Sequence, residues 1–240
     1  MNIEKWHEKL FLLDMRRAVE EFQMIRPGSR ILIGISGGKD SITLGFGLEM
    51  LKRWLKVPFE TVWIHLDYGA GGDAEPLRQW LAERGIDLLV EKTDIWSSVE
   101  AREGGSPCYM CAKLRRGVLA RIMEAHGCDC MALGHHRDDA LSTLWMNLMY
   151  NGRFRTFHPV TEEAETGRIT IRPLIYCEEE KIRRAAAQFG YPEAPWQCPQ
   201  EAHTERARVG ELRDRMNQEL PGLNQQLLTA LKHVSDADRW

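Results

Sequence analysis

Three short strings in this sequence carry side chains capable of chemistry. The first is Ser36-Gly37-Gly38-Lys39-Asp40-Ser41. Adjacent glycines let a backbone fold its N–H groups around an oxyanion. A lysine neutralises the charge, and the Ser36 and Ser41 hydroxyls donate to the oxygens. Such a string suits a phosphate group. It is not the loop of a γ-phosphate-splitting motor, because Ile33 stands where the first glycine of G-x-x-x-x-G-K-[ST] would fall and Asp40 follows the lysine. The second string, Gly134-His135-His136-Arg137-Asp138-Asp139, joins two imidazoles to two carboxylates. Neighbouring positions point in different directions, which argues against a metal site built from all four. The third is the pair Cys108 and Cys111 in SPCYMCAKLRR, where a following helix and Lys113, Arg115 and Arg116 favour a thiolate. This spacing suits a redox dithiol, half of a zinc site or part of an iron–sulfur site. Cys198, in WQCPQ between two expected helices, is the best third thiolate, while Cys128, Cys130 and Cys177 read as small apolar fillers.

The rest of the chain must position these groups. With 43% hydrophobic and 28% charged residues it has the composition of an ordinary globular protein, neither disordered nor fibrous. Its 32 basic and 35 acidic residues leave a formal charge of -3, so any nucleic-acid site is a local patch and not a whole-molecule field. No run of 18 apolar residues occurs, and charges stud residues 1–17 where a secretory core would lie. The expectation is a cytoplasmic protein with no membrane partner.

Apolar spacing predicts a helix over 3–24, ended by Pro27-Gly28, then a buried strand over 30–35 in RILIGI. The glycine string follows, then a helix over 42–56 and a strand over 59–66. Helices over 74–84, 112–126 and 138–150 alternate with strands over 87–92 and 130–134, and a strand-like IRPLIY lies near Ile171. Helices over 178–189, 202–219 and 224–233 complete the chain. This alternation predicts an α/β fold, a doubly wound parallel sheet with helical N- and C-terminal additions. The expected layout is one domain over 1–240, with an N-terminal helix in 1–26 and a helical extension over 178–240. The ligand belongs at the carboxyl ends of the strands.

Set between strand and helix, SGGKDS resembles the PP-loop of the ATP pyrophosphatase family, whose members adenylate an oxygen and release pyrophosphate. The resemblance implies that Ser36, Gly37, Gly38, Lys39, Asp40 and Ser41 bind ATP, with the Asp40 carboxylate holding Mg²⁺ against the phosphates. The second string should face the same crevice. There Gly134 lets the nucleotide approach the backbone, and Asp139 helps to hold Mg²⁺ or orients the acceptor; either aspartate also suits a helix start. Asp67, in HLDYG, is placed to contact adenosine or serves as a polar turn residue.

A more specific likeness runs through PCYMCAKLRRGVL, MALGHHRDDALSTLWMNLMYNGR, IRPLIYC and CPQEAHTERARV. Together with SGGKDS these resemble the tRNA 2-thiocytidine synthase (TtcA) family over about residues 10 to 220. The resemblance implies a dimer that holds a [4Fe–4S] cluster through Cys108, Cys111 and Cys198, with one iron open to a sulfur ligand. It departs from the family at Pro195, where a second C-x-x-C often begins; zinc on the same cysteines with His203 is the other possibility. The implied activity is ATP-dependent tRNA thiolation. A cytidine O2 is adenylated and then replaced by sulfur from a persulfide donor such as a cysteine desulfurase, carried on the cluster. The alternative is a PP-loop sulfurtransferase acting on another RNA position or a small molecule. Asp40, Arg115, Asp139 and Cys198 are the expected catalytic residues, with Arg115 stabilising developing charge or standing on a solvated helix face. For tRNA, basic residues interleaved with aromatics point to the helix bearing Lys113, Arg115, Arg116 and Arg121. Two further candidates are Arg153 and Arg155 beside Phe154 and Phe157, and the helix with Arg206, Arg208, Arg213 and Arg215.

Overall fold

The computed structural model describes residues 8–102, 104, 106–195 and 205–234. Its packing separates two compact units, Met1–His136 with Pro159–Gln197 and Arg137–His158 with Cys198–Trp240. In chain order the elements are a π-helical turn Glu8–Leu12 running into α1 Leu13–Glu21, then β1 Ser29–Gly34, α2 Lys39–Trp54, β2 Phe59–Asp67, α3 Glu75–Ala82 and β3 Leu88–Lys92. They continue with α4 Ile95–Glu100, α5 Pro107–Ala125, β4 Cys130–Ala132, α6 Arg137–Asn151, β5 Val160–Glu162, β6 Ile169–Ile171, α7 Glu179–Phe189, α8 Glu205–Glu219 and α9 Leu223–His233.

The first unit is an α/β sandwich on a six-stranded sheet of order β3-β2-β1-β4-β6-β5. All neighbours are parallel except β5 and β6. The order turns at β1: β2 and β3 extend one side, β4 and β6 the other. The carboxyl ends of β1 and β4 therefore flank the switch point, the crevice where open α/β sheets take ligands. Ile31, Leu32 and Ile33 of β1 are fully buried, as a strand covered on both faces must be. One layer of the core joins Leu32 to Ile64, Leu66 and Met131 and to Leu119, Ile122 and Met123 of α5. On α2, every residue from Ser41 to Leu48 is buried. Two glycines permit this: a Cβ would lie 2.2 Å from the Trp63 ring at Gly45 and 2.3 Å from Met15 Sδ at Gly47.

The second unit contains α6, α8 and α9, with α6 packed on α8 and α9 touching both. Helix α7 belongs to the first unit and α6 to the second. Packing partners decide this, since α7 lies on α2 and α6 lies on α8.

Two local expectations need correction. Only Ile171 of IRPLIY is in a strand; residues 172–176 turn, with Ile175 N–H donating to Arg172 O at 3.1 Å and Cys177 N–H to Leu174 O at 2.8 Å. Pro173 has no N–H to continue a ladder. The α5 helix starts at Pro107 and not at 112, so Cys108 and Cys111 lie inside it. Ser106 caps it by accepting from Tyr109 N, and Pro107 at its first position needs no partner. The antiparallel β5 at the sheet edge and the short α4 were not expected. No helix among the described residues is long and apolar enough to cross a membrane.

Candidate nucleotide site

The string from Ser36 to Ser41 leaves the carboxyl end of β1 and enters α2. Its shape is held from within. Ser36 N donates to Ser41 Oγ at 3.1 Å, Gly38 N to Ser36 Oγ at 3.3 Å, and Ser41 Oγ to Gly38 O at 2.9 Å. Gly37 takes φ +87°, a left-handed conformation that a side chain would strain. A Cβ there would also lie 2.3 Å from Pro195 Cδ, so the segment after α7 sits directly on the loop. Gly38 is the N-cap of α2 and has no side chain of its own to cap the helix. The head of α2, with the positive end of its dipole, suits an anion.

Charge gathers at the same point. Lys39 Nζ stands 3.2 Å from Asp40 Oδ2 and 3.1 Å from Glu179 Oε1 at the start of α7. Burial opposes the Lys39 charge, but the two carboxylates outweigh it and raise its pKa above the usual value. Burial likewise works against ionised Glu179, yet Lys39, with His136 and Arg183, holds its pKa below the usual carboxylate value. His136, buried, places Nε2 3.7 Å from Asp40 Oδ1.

Gly134 reaches this loop from the end of β4. A Cβ on it would stand 3.0 Å from Asp40 C and 3.1 Å from Ser41 N. The approach that this glycine permits is that of the loop's own backbone. At the end of β2, Asp67 Oδ1 accepts from Gly69 N at 2.9 Å, and its main-chain carbonyl accepts from Thr93. Asp67 also lines an open cleft of about 620 Å³ with Asp73, Arg78 and Lys92. Two residues before it, buried His65 Nδ1 bonds Ile35 O at 2.7 Å and ties β2 to the residue before the loop. Burial lowers the His65 pKa, which makes the ring the neutral donor.

Sequence reasoning missed Glu179, His65 and Pro195. The acids of residues 178–180 read only as a helix start, and a buried histidine in a strand reads as core. Nothing local indicated that either one meets the loop.

Asp139 is in the second unit, 3.5 Å from Arg206 Nη1. Asp138 there receives Arg213, which is 4% exposed, at 3.4 Å. Arg213 also donates to Asp138 O at 2.7 Å and Ser142 Oγ at 3.1 Å. It holds α8 to α6 and is not part of an exposed RNA-binding face, a correction to the sequence expectation. Arg153, Phe154 and Arg155 are exposed, as are Lys113, Arg115 and Arg116. Cys108 is exposed and Cys111 half-buried, three positions apart on one helical face near the positive end of α5. Burial raises the thiol pKa of Cys128 and pushes that of Cys130 up to about 12. Cys177 is buried with Sγ 3.5 Å from Phe11 O. These three are packing residues. Cys198 and His203 lie outside the described residues, among which no three His, Cys, Asp or Glu side chains form a metal-sized cluster.

An anion-ready helix start behind a glycine loop, at the switch point of a parallel sheet, is the signature of the PP-loop class. The PP-loop domain family ATP_bind_3 matches residues 12–209. The tRNA-cytidine(32) 2-sulfurtransferase of Erwinia tasmaniensis is 34% identical over 99% of this chain and 79% of its own. That of Pelobacter propionicus is 38% identical over 91% of this chain and 83% of its own. Among solved structures, the U34-tRNA thiolase NcsA from Methanococcus maripaludis with its [4Fe-4S] cluster superposes with a TM-score of 0.72. It shares 20% identity, over 95% of this chain and 81% of that one, and so is a likeness of fold. The chain belongs to the tRNA-cytidine(32) 2-sulfurtransferase family of PP-loop proteins.

Proposed function

We propose that this protein is an ATP-dependent tRNA sulfurtransferase that replaces O2 of a cytidine, at tRNA position 32, with sulfur. The observation that carries the reading is the glycine loop from Ser36 to Ser41, with Lys39 at the head of α2, in a chain whose relatives bear that activity in their names. The Gly37 and Gly38 backbone, the two serines and Lys39 hold the ATP phosphates. The cytidine O2 attacks the α-phosphorus, an O2–P bond forms, the bond to the β-phosphate breaks and pyrophosphate leaves. Lys39 offsets the charge that accumulates on the departing phosphates. Adenylation turns O2 into a leaving group. Sulfur then forms a bond to C2 as the C2–O2 bond breaks and AMP departs.

Two further groups belong to this reading. Asp40, on the phosphate loop, is a carboxylate that would hold Mg²⁺, which draws charge from the phosphate oxygens; Asp139, the second expected ligand, belongs to the other unit. The α5 pair Cys108 and Cys111 presents two thiols on one face beside basic residues, and with Cys198 would hold a [4Fe–4S] cluster; when bound, it supplies an iron open to a sulfur ligand. Exposed Arg115 follows these cysteines and stabilises developing charge. Exposed Arg153 and Arg155, with Phe154 between them, contact RNA phosphates and stack a base. The sulfur comes from a persulfide donor such as a cysteine desulfurase, a thiol reductant supplying the two electrons that release the outer sulfur at the sulfide level, and the protein works as a homodimer.

The test is incubation of anaerobically purified protein with Mg-ATP, a sulfide source and a tRNA carrying C32, followed by nucleoside mass spectrometry and pyrophosphate assay. The expected result is 2-thiocytidine with pyrophosphate released in equal amount. Pyrophosphate release with no thiolated cytidine would reassign the substrate.

A further inference from the structure

The segment that runs from the start of α7 to Pro195 touches the phosphate loop and its helix at three places. Glu179 pairs with Lys39 at 3.1 Å, Tyr191 Oη bonds Thr43 Oγ1 at 3.1 Å, and Pro195 lies against Gly37. The second is a hydrogen bond between hydroxyls and the third a packing contact, but the first places a carboxylate on the cation that phosphate must use. Glu179 is not an incidental surface acid. Its side chain is 32% exposed, it stands in the first turn of α7, and its ionised form is favoured despite burial. Arg183, one turn along, stands 3.3 Å from it on the other side.

We propose that Glu179 is a positioning residue that exchanges with phosphate for Lys39. This deepens the reading above, since it rests on Lys39 binding the ATP phosphates. Without nucleotide, the Glu179 carboxylate holds the Lys39 ammonium at the loop. When the phosphates arrive, Lys39 turns to them, and Glu179 is left as an anion facing an anionic ligand. After the α–β bond breaks, the same carboxylate competes with pyrophosphate for the ammonium and hastens its departure. Asp40 keeps its contact with Lys39 in either state, so the lysine stays at the loop throughout. Lys39, His136 and Arg183 all favour its ionised form, so its charge persists near neutral pH and the exchange does not wait on a proton.

Titration calorimetry with pyrophosphate and with Mg-ATP on the full chain tests this, in wild type, Glu179→Gln, Lys39→Met and the double variant. Glu179→Gln is expected to bind pyrophosphate roughly three- to tenfold more tightly, the size of one partly screened charge contact. In turnover, KM for ATP should fall, kcat should fall and pyrophosphate should inhibit more strongly. A merely structural role would raise KM. In the Lys39→Met background the substitution should change pyrophosphate affinity by less than about twofold, because the shared partner is gone. Unchanged or weaker pyrophosphate binding by Glu179→Gln overturns the proposal, as does equal tightening with and without Lys39. Glu179→Asp keeps the charge but draws it back by one methylene; it should tighten binding by less than Gln does, and it decides the matter if the Gln variant does not fold. Wild-type protein that binds neither ATP nor pyrophosphate would overturn the phosphate-loop reading itself, a different failure from wild-type binding that Glu179→Gln leaves unaltered.

Discussion

Gly134 and Asp40 meet backbone to backbone: a Cβ on the glycine would stand 3.0 Å from the Asp40 carbonyl carbon. The end of β4 thereby locates the first turn of α2. Gly134→Ala forces that turn to move, and overpacking of this kind costs about 1 to 3 kcal/mol. The expected outcome is a lower melting temperature and weaker ATP binding together, measured by thermal unfolding with and without Mg-ATP.

Gly37 meets two constraints, φ +87° and Pro195 Cδ at 2.3 Å from a hypothetical Cβ. Gly37→Ala should abolish ATP binding. Adding Pro195→Ala relieves the clash but not the strain, which alone is of order 1 to 2 kcal/mol, so the double variant should recover stability only in part. Full recovery in calorimetry would show that the backbone conformation is unstrained.

His65 makes stability depend on pH. Its folded pKa is lowered by burial, against the pull of the Ile35 carbonyl and Asp67, so the folded state takes up this proton less readily than the unfolded chain. Its contribution is full above the ordinary value of 6.5 and is lost as pH falls from there toward the folded pKa. Urea titrations from pH 7.5 to pH 5 should show a steeper loss in wild type than in His65→Gln.

The cysteines should divide by position. Cys108 is exposed, while Cys130 is buried with its pKa pushed up to about 12. Brief alkylation of metal-free protein should modify Cys108 first and leave Cys130 and Cys177 unmodified in the mass spectrum. Cys108→Ala and Cys198→Ala should each lose bound iron, about four per chain for an intact cluster, and keep ATP binding. Loss of ATP binding in both would show that the two functions share one structure.

Arg213 and Arg153 should differ although both are arginines of the second unit. Arg213→Ala removes the ion pair with Asp138 and the bonds to Asp138 O and Ser142 Oγ, leaving Arg137 3.9 Å from the carboxylate, so it should lower the melting temperature by several degrees. Arg153→Ala, on an exposed position, should leave the melting temperature unchanged, weaken tRNA binding and lower the salt dependence of that binding by about one unit. Equal unfolding curves for the two would refute the structural role of Arg213.

Much of this protein is determined locally. The apolar run before SGGKDS, the glycines within it and the apolar alternation after it are sufficient for a βαβ unit with a phosphate loop, because strand burial, turn conformation and helix start are all short-range properties. Ser106-Pro107 also marked the start of α5, a capping signal that the apolar spacing of the later turns overshadowed. Tertiary structure alone decided which distant groups arrive at the loop. Glu179 lies 140 positions after Lys39, and its neighbours Glu178 and Glu180 are chemically identical to it. Only the packing of α7 on α2 selects Glu179 for the lysine. Arg213 and Arg215 are equally alike in sequence, yet one is buried and the other exposed, because a helix shows residues two apart to different surroundings. Residue type and spacing therefore determine what each segment can do. Long-range packing, which no local pattern encodes, determines which of several identical side chains does it.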